Sequence, residues 1–258
     1  MKKNLTENIS MKKVHISYGN EKYYKSLELL KHTSLEIGKT NQFIPFTEQW
    51  LKGTDFWTKN SFILNRPRGA GYWIWKPFII LQTFKTLEDG DVVLYSDAGL
   101  KVIGNLNPLF EIAQKGPNGG KVLFKLPAVG VPHHLAKTWT KRDCFVLLDC
   151  DSEEYWNANM SNGAVSVWKK TDENIEFLKE WQKYLRDPRI VTDDSNFCGK
   201  PNFMEFRDHR HDQSVLSLLA IKYKFEMFRD PTQFGNEEKE VFLNSLYPQL
   251  FDHHRGNF

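Results

Sequence analysis

Apolar and polar residues alternate through Val14-His15-Ile16-Ser17-Tyr18-Gly19, and this period of two predicts a strand that stops on a glycine. The period then changes. Tyr23, Leu27 and Leu30 recur at helical spacing, so residues 22–33 predict a helix. Residues 43–46 read as a second strand. Pro77 suits the first turn of a helix that Phe78, Ile79, Ile80, Leu81, Phe84 and Leu87 pack against a sheet. After the turn Asp89-Gly90 come a strand at 92–95 and a helix at 106–114. Gly116-Pro117-Asn118-Gly119-Gly120 predicts a tight turn. Residues 122–126, 144–148 and 162–168 are further strand candidates. An amphipathic helix is predicted at 172–186, with Thr171 as its cap and Ile175, Leu178, Trp181 and Leu185 as its apolar face. Residues 187–207 read as a loop. A helix starting at Asp212 buries Val215, Leu216, Leu218 and Leu219.

Strands alternating with helices predict an α/β/α sandwich, Rossmann-like, with a mixed, mainly parallel central sheet. Residues 1–12 read as a disordered leader. Residues 13–258 read as one domain, with a tail of short elements from about residue 225. A chain of 258 residues can bury a sizeable core. The net charge of +3 permits an anionic small molecule but lacks the concentrated basic face that nucleic acid requires. The longest apolar run, residues 72–81, is broken by Lys76 and Pro77, and no transmembrane segment is expected. Cys144, Cys150 and Cys198 match no zinc spacing. With no apolar secretion signal before Lys13, they suggest a reducing, cytoplasmic setting.

Four polar clusters carry candidate chemistry. The strand at 92–95 ends in Ser96-Asp97-Ala98-Gly99. A carboxylate at the C-terminal end of an apolar strand is how an open α/β sheet presents a metal ligand to a phosphate-bearing substrate. Small residues after it let a bulky ligand approach the backbone. The same Asp also reads as a plain strand-end cap. Arg66, Arg68, the Gly69-Ala70-Gly71 turn and Lys76 form a compact anion site, or else a solvated loop with an aromatic plug. In Asp208-His209-Arg210-His211-Asp212-Gln213, Asp212 at a helix start is either an N-cap or a functional carboxylate. The last cluster is Phe251-Asp252-His253-His254-Arg255. A rival Asp-x-Asp, Asp149-Cys150-Asp151, follows the apolar run at 145–148 and suits phosphate chemistry as well.

In order, these motifs are a strand ending in Tyr18-Gly19, a basic segment, Leu94-Tyr95-Ser96-Asp97-Ala98-Gly99, Asn162-Gly163-Ala164-Val165-Ser166-Val167, Asp212-Gln213-Ser214-Val215-Leu216, and a late His. The set resembles the GT-A nucleotide-sugar glycosyltransferases, in motif order nearest the glycogenin and lipopolysaccharide-galactosyltransferase group. The resemblance spans about residues 14–219. It implies transfer of a hexosyl or deoxyhexosyl unit from a nucleotide diphosphate sugar to a glycan or other hydroxyl acceptor, assisted by Mn²⁺ or Mg²⁺. Carried over motif by motif, Asp97 and His254 would hold the metal. Tyr18, Gly19, Arg66, Arg68, Lys76, Asp97, Ala98, Asn162 and Gly163 would bind the donor. Asp212 and Gln213 would carry the catalytic contacts, with retention or inversion left open. Gly99 stands where that family has a second Asp, which leaves a non-catalytic sugar-nucleotide-binding module as the alternative.

Overall fold

The computed structural model describes residues 11–128 and 134–254. Among these the strands are β1 (Lys13–Gly19), β2 (Gln42–Thr47), β3 (Val92–Ser96), β4 (Leu100–Val102), β5 (Lys121–Lys125), β6 (Ser161–Lys169), β7 (Met227–Phe228) and β8 (Phe251–His253). Six of them form the central sheet in the order β2-β1-β3-β6-β5-β7, while β4 and β8 pair separately. β1 is parallel to β2 and β3, and β5 to β7. Only β6 is antiparallel to its neighbours. The fold is therefore an α/β/α sandwich on a mixed, mainly parallel sheet.

The period-two pattern sorts side chains onto two faces. Val14, Ile16, Val93, Tyr95, Leu123 and Trp168 point to one core. That face is covered by α2 (Asp55–Leu64), α3 (Trp75–Phe84), α5 (Arg142–Leu147), α6 (Asp172–Leu185) and α7 (His211–Lys222). Val92, Leu94, Val122, Phe124, Val165 and Val167 point to the other, under α1 (Tyr24–Glu36) and α4 (Asn107–Lys115). Because both faces are covered, the polar partners in the β1 alternation are buried too. His15 is fully buried between Ser34 Oγ and Ser96 Oγ, each 2.8 Å away. Burial lowers its pKa to about 3, so it stays neutral.

Two sequence expectations change. Residues 144–148 are not a strand: they lie largely in α5, with Asp143 in its first turn and Cys144 and Phe145 buried. A short apolar run has no period that separates helix from strand, and this one packs in the helical layer. The segment after residue 225 does consist of short elements, but they belong to the sheet and its cores. β7 is an edge strand of the central sheet, and β8 ladders with β4 through Leu100↔His253 and Val102↔Phe251. Tyr247, Leu250 and Phe251 complete the second core. The leader expected at 1–12 lies outside the described residues up to residue 10. Lys12 N–H already donates to Asp91 Oδ1 at 2.8 Å. No helix among the described residues is long and apolar enough to cross a membrane.

Thr171 caps α6 as expected, accepting from the Asn174 N–H at 3.2 Å. The helix buries Phe177, Leu178, Trp181 and Leu185, and Trp181 stacks on Trp168 with centroids 6.1 Å apart. Thr171→Ala should lower unfolding free energy by about 1 kcal/mol, the usual loss for an N-cap. Urea denaturation monitored by tryptophan fluorescence checks this, and an unchanged midpoint would show that the cap contributes nothing.

Candidate active site

The reversed strand decides where the candidate residues meet. Because β6 runs against β3, its first residues Asn162 and Gly163 reach the same sheet edge as the ends of β1 and β3. There the Asp97 N–H donates to the Ala164 carbonyl at 2.8 Å. A cavity of about 460 Å³ opens at this edge, walled by Tyr18, Gly19, Lys22, Trp73, Asp97 and Ala98 among others.

Lys76 is the centre of the site. Its Nζ donates to the Gly163 carbonyl at 2.8 Å, lies 2.8 Å from Asp212 Oδ2 and is 3.7 Å from Asp97 Oδ1. The Lys76 and Asp212 side chains are each 4% exposed and that of Asp97 is 38% exposed, so the first two form an internal pair while Asp97 faces the cavity. Burial opposes the Lys76 ammonium, but the charges of Asp212 and Asp97 outweigh burial and raise its pKa. For Asp212 burial dominates and lifts the carboxyl to about 6 against the pull of Lys76. The Lys76 ammonium also lies over the Tyr95 ring at 5.3 Å and the Trp73 ring at 5.9 Å. Tyr95 OH donates to Asp97 Oδ1 at 2.5 Å. Burial and that carboxylate push the Tyr95 pKa well up, so the phenol keeps its proton.

Asp212 is not an N-cap. α7 begins one residue earlier, at His211, and the cap position falls to Arg210, whose side chain caps nothing. Gln213 Nε2 donates to the Ser161 carbonyl at 2.7 Å, and its side chain lies over Gly163, where an added Cβ would come within 3.0 Å of it. Asn162 Oδ1 accepts from the Ala164 N–H at 2.6 Å, while its amide donates to Asp230. Asp230 is fully buried, and burial raises its pKa.

Arg66 and Arg68 are absent from the cavity wall. Arg68 forks onto Asp208, at 3.1 Å and 2.5 Å, and reaches Asp193 at 3.3 Å. Arg66 lies 3.7 Å from Asp194 and over the Phe62 ring at 5.4 Å. Both guanidiniums thus face acids of the 193–208 segment. The β4–β8 ladder brings the late histidines to this edge. His253 lines the cavity, and the His254 N–H donates to the Gly99 carbonyl at 3.1 Å. Burial lowers the His254 pKa, partly offset by the backbone of Leu100 and Ala98.

The rival pair is engaged elsewhere. Asp149 lies just past α5 in a left-handed conformation, with φ 57°. Asp151 accepts from Arg142 at 3.1 Å, Lys200 at 2.7 Å and Trp156 Nε1 at 2.9 Å. These bonds outweigh burial and hold its carboxyl below the usual range. Among the described residues no three His, Cys, Asp or Glu side chains gather into a metal-holding group.

Sequence reasoning missed several residues. Lys22 and Asn20 line the cavity, Lys22 in a 3₁₀ turn at 21–23, and their place just after a strand-ending glycine was a readable signal. Trp73, Trp75 and Tyr23 wall it as well. Asp230 gave no signal, since it follows a two-residue strand that has no period to read.

No family model matches the chain, and no curated protein matches it in sequence. Among solved structures, mouse xyloside xylosyltransferase 1 in its apo form is similar, with a TM-score of 0.46 and 11% identity over 94% of this chain and 97% of that one.

The raised Asp212 carboxyl has a pH signature. Between the ordinary 3.8 and about 6, the folded protein keeps a proton that the unfolded chain has lost. This group therefore subtracts stability as pH rises through that window, by on the order of 3 kcal/mol in full. In Asp212→Asn that part of the slope should disappear. Urea unfolding from pH 4 to pH 7 on both proteins checks it, and parallel curves would show that Asp212 titrates normally.

Proposed function

We propose that this chain is a glycosyltransferase of the GT-A class, moving a hexosyl or deoxyhexosyl unit from a nucleotide diphosphate sugar to a hydroxyl of a glycan acceptor. The observation that carries the reading is the Asp97–Lys76–Asp212 constellation beside an aromatic-walled cavity at the strand ends, with Gly163 accepting from the same ammonium. Open α/β sheets bind their ligands at that edge. The more exposed rings of Tyr23 and Trp73 suit a base or a sugar, with the stacked and buried pair Tyr18 and Trp75 behind them. Lys22 suits the diphosphate.

Asp97 is the half-exposed carboxylate at the wall, and His254 lies against the backbone that follows it. Mg²⁺ needs only one or two protein carboxylates when substrate phosphates and water supply the rest, so Asp97 would suffice as its protein ligand, while an imidazole from His254 would suit Mn²⁺ better. When bound, the ion would neutralise charge on the leaving diphosphate. Asp212, with its carboxyl lifted to about 6, is ionised yet basic near neutral pH. It would take the acceptor proton in an inverting reaction or hold the donor sugar in a retaining one. Gln213, bonded to Ser161, would keep the start of β6 at Gly163 against the sugar. Arg66 and Arg68 would act on the donor only through the loop that they anchor. The three free cysteines suit the reducing cytoplasm.

Gly99 favours a second reading, a sugar-nucleotide-binding module without turnover. Release of free sugar from a nucleotide sugar separates the two, because a pure binder gives none. A melting-temperature screen of nucleotide sugars with and without Mn²⁺ should find one donor that stabilises the protein. In Asp97→Asn the Mn²⁺-dependent part of that shift should vanish while the melting temperature without ligand is kept. Asp212→Asn should lower kcat by at least about a hundredfold, the scale of a lost acid–base or positioning group. Parental turnover in Asp212→Asn would overturn its assigned role.

A further inference from the structure

Lys76 and Asp212 each stand just inside a helix whose approach is abnormal. Gly69, Ala70, Gly71, Tyr72 and Trp73 all have positive φ, at 57°, 48°, 89°, 54° and 59°. The chain thus makes a complete left-handed turn before α3, the helix that carries Lys76. His211, the residue before Asp212, has φ 48°. Left-handed backbone is costly for any residue with a Cβ, and Ala70, Tyr72, Trp73 and His211 all have one. The two glycines of the turn are obligatory. A Cβ on Gly69 would lie 2.3 Å from the Trp73 ring, and one on Gly71 would lie 2.5 Å from Leu64 Cα.

The two abnormal segments brace each other. The His211 ring lies 4.6 Å from that of Tyr72 and stacks on that of Trp73 at 5.7 Å. It is 1% exposed, and its Nδ1 is 2.7 Å from the Val191 carbonyl. With that carbonyl as partner, Nδ1 carries the proton and donates. Burial lowers the ring's pKa to about 4, so it is neutral in use. The left-handed turn is tied down independently, by the Arg68 fork to Asp208 and by Trp75 Nε1 donating to the Gly69 carbonyl at 3.2 Å. Behind Asp212, Trp181 Nε1 donates to its carbonyl at 3.2 Å. Backbone strain of this kind persists only where the surroundings over-determine it, and it gathers at functional sites.

We propose that His211 is a positioning residue: its left-handed backbone aims the Asp212 carboxylate at Lys76, and its ring locks that aim onto the left-handed turn from which Lys76 springs. The consequence for turnover rests on the glycosyltransferase reading; the geometry of the pair does not. Arg66 and Arg68 then serve the site by holding the turn, and the Gly69-Ala70-Gly71 motif serves it through handedness.

The test uses the full chain. His211→Gly keeps the left-handed backbone and deletes the ring. His211→Asn tolerates that backbone and can still donate to Val191. Two readouts are taken on protein shown by circular dichroism to be folded at the assay temperature: the rate at which Lys76 Nζ is reductively methylated, followed by mass spectrometry, and kcat and KM for the donor. In the parent, Lys76 should be protected. In His211→Gly its labelling should speed up and kcat should fall, each at least about tenfold, with donor KM within about twofold, as a misaligned rather than unbound substrate demands. His211→Asn should recover part of both. Unchanged protection of Lys76 in folded His211→Gly overturns the proposal, as does parental kcat in a variant whose Lys76 has become reactive. Should His211→Gly not fold, Tyr72→Leu removes the nearer of the two rings against which His211 packs and carries the same expectations. If the parent turns over no nucleotide sugar, the functional reading fails and the labelling alone decides the positioning role.

Discussion

A buried ammonium cannot be left without partners, and much of this site follows from that constraint at Lys76. Taking the charge out of water costs several kcal/mol, recovered only by close and well-directed partners. Here the partners come from three places in the chain: Asp97 just after β3, Gly163 in β6 and Asp212 in α7. Each of them is held in turn, Asp97 by Tyr95, Gly163 by the Gln213 side chain packed over it, and Asp212 by Trp181, whose Nε1 donates to its carbonyl. Moving any one of these elements would strand a charge, so the requirement that the buried ammonium be paired also fixes how α3 and α7 sit on the sheet.

Electrostatics divides the rest of the molecule in a similar way. The basic residues nearest the site in sequence are not all nearest in function. Arg66 and Arg68 spend their charge on Asp193, Asp194 and Asp208, whereas Lys22, much earlier in the chain, reaches the cavity. A surface ion pair contributes little to stability by itself. The Arg68 fork matters more as a geometric tether, because it acts on a backbone that would otherwise relax.

Much of the fold was legible because period two and period 3.6 are imposed by geometry. β1, β3, β6 and α6 were readable from Val14, Val93, Val167 and Leu178 and their neighbours. The reading failed where period is undefined. Residues 144–148 are too short and too apolar to separate strand from helix, and β7 is two residues long. For the site, polar residues at strand and helix ends drew attention to Asp97, Asp212 and Lys76, and the fold brings these three together. It gave no warning that Arg66 and Arg68 would turn away, since ion-pair partners more than a hundred residues distant leave no local trace. Nor did it show the left-handed turn: two glycines hinted at one, but Ala70, Tyr72 and Trp73 adopt the conformation against their own preference.

The β4–β8 ladder has a consequence for biosynthesis. His253, which lines the cavity, leaves the ribosome long after the strand it pairs with. β4 is in place by residue 102, yet its partner strand among the described residues begins at Phe251, which also closes the second core. A nascent chain can assemble β1, β2 and β3 early, but β4 stays unpaired and the second core lacks Tyr247, Leu250 and Phe251 until that segment emerges. The second core is thus closed by a contact across most of the length of the chain, which a nascent chain makes later than the β1–β3 pairing.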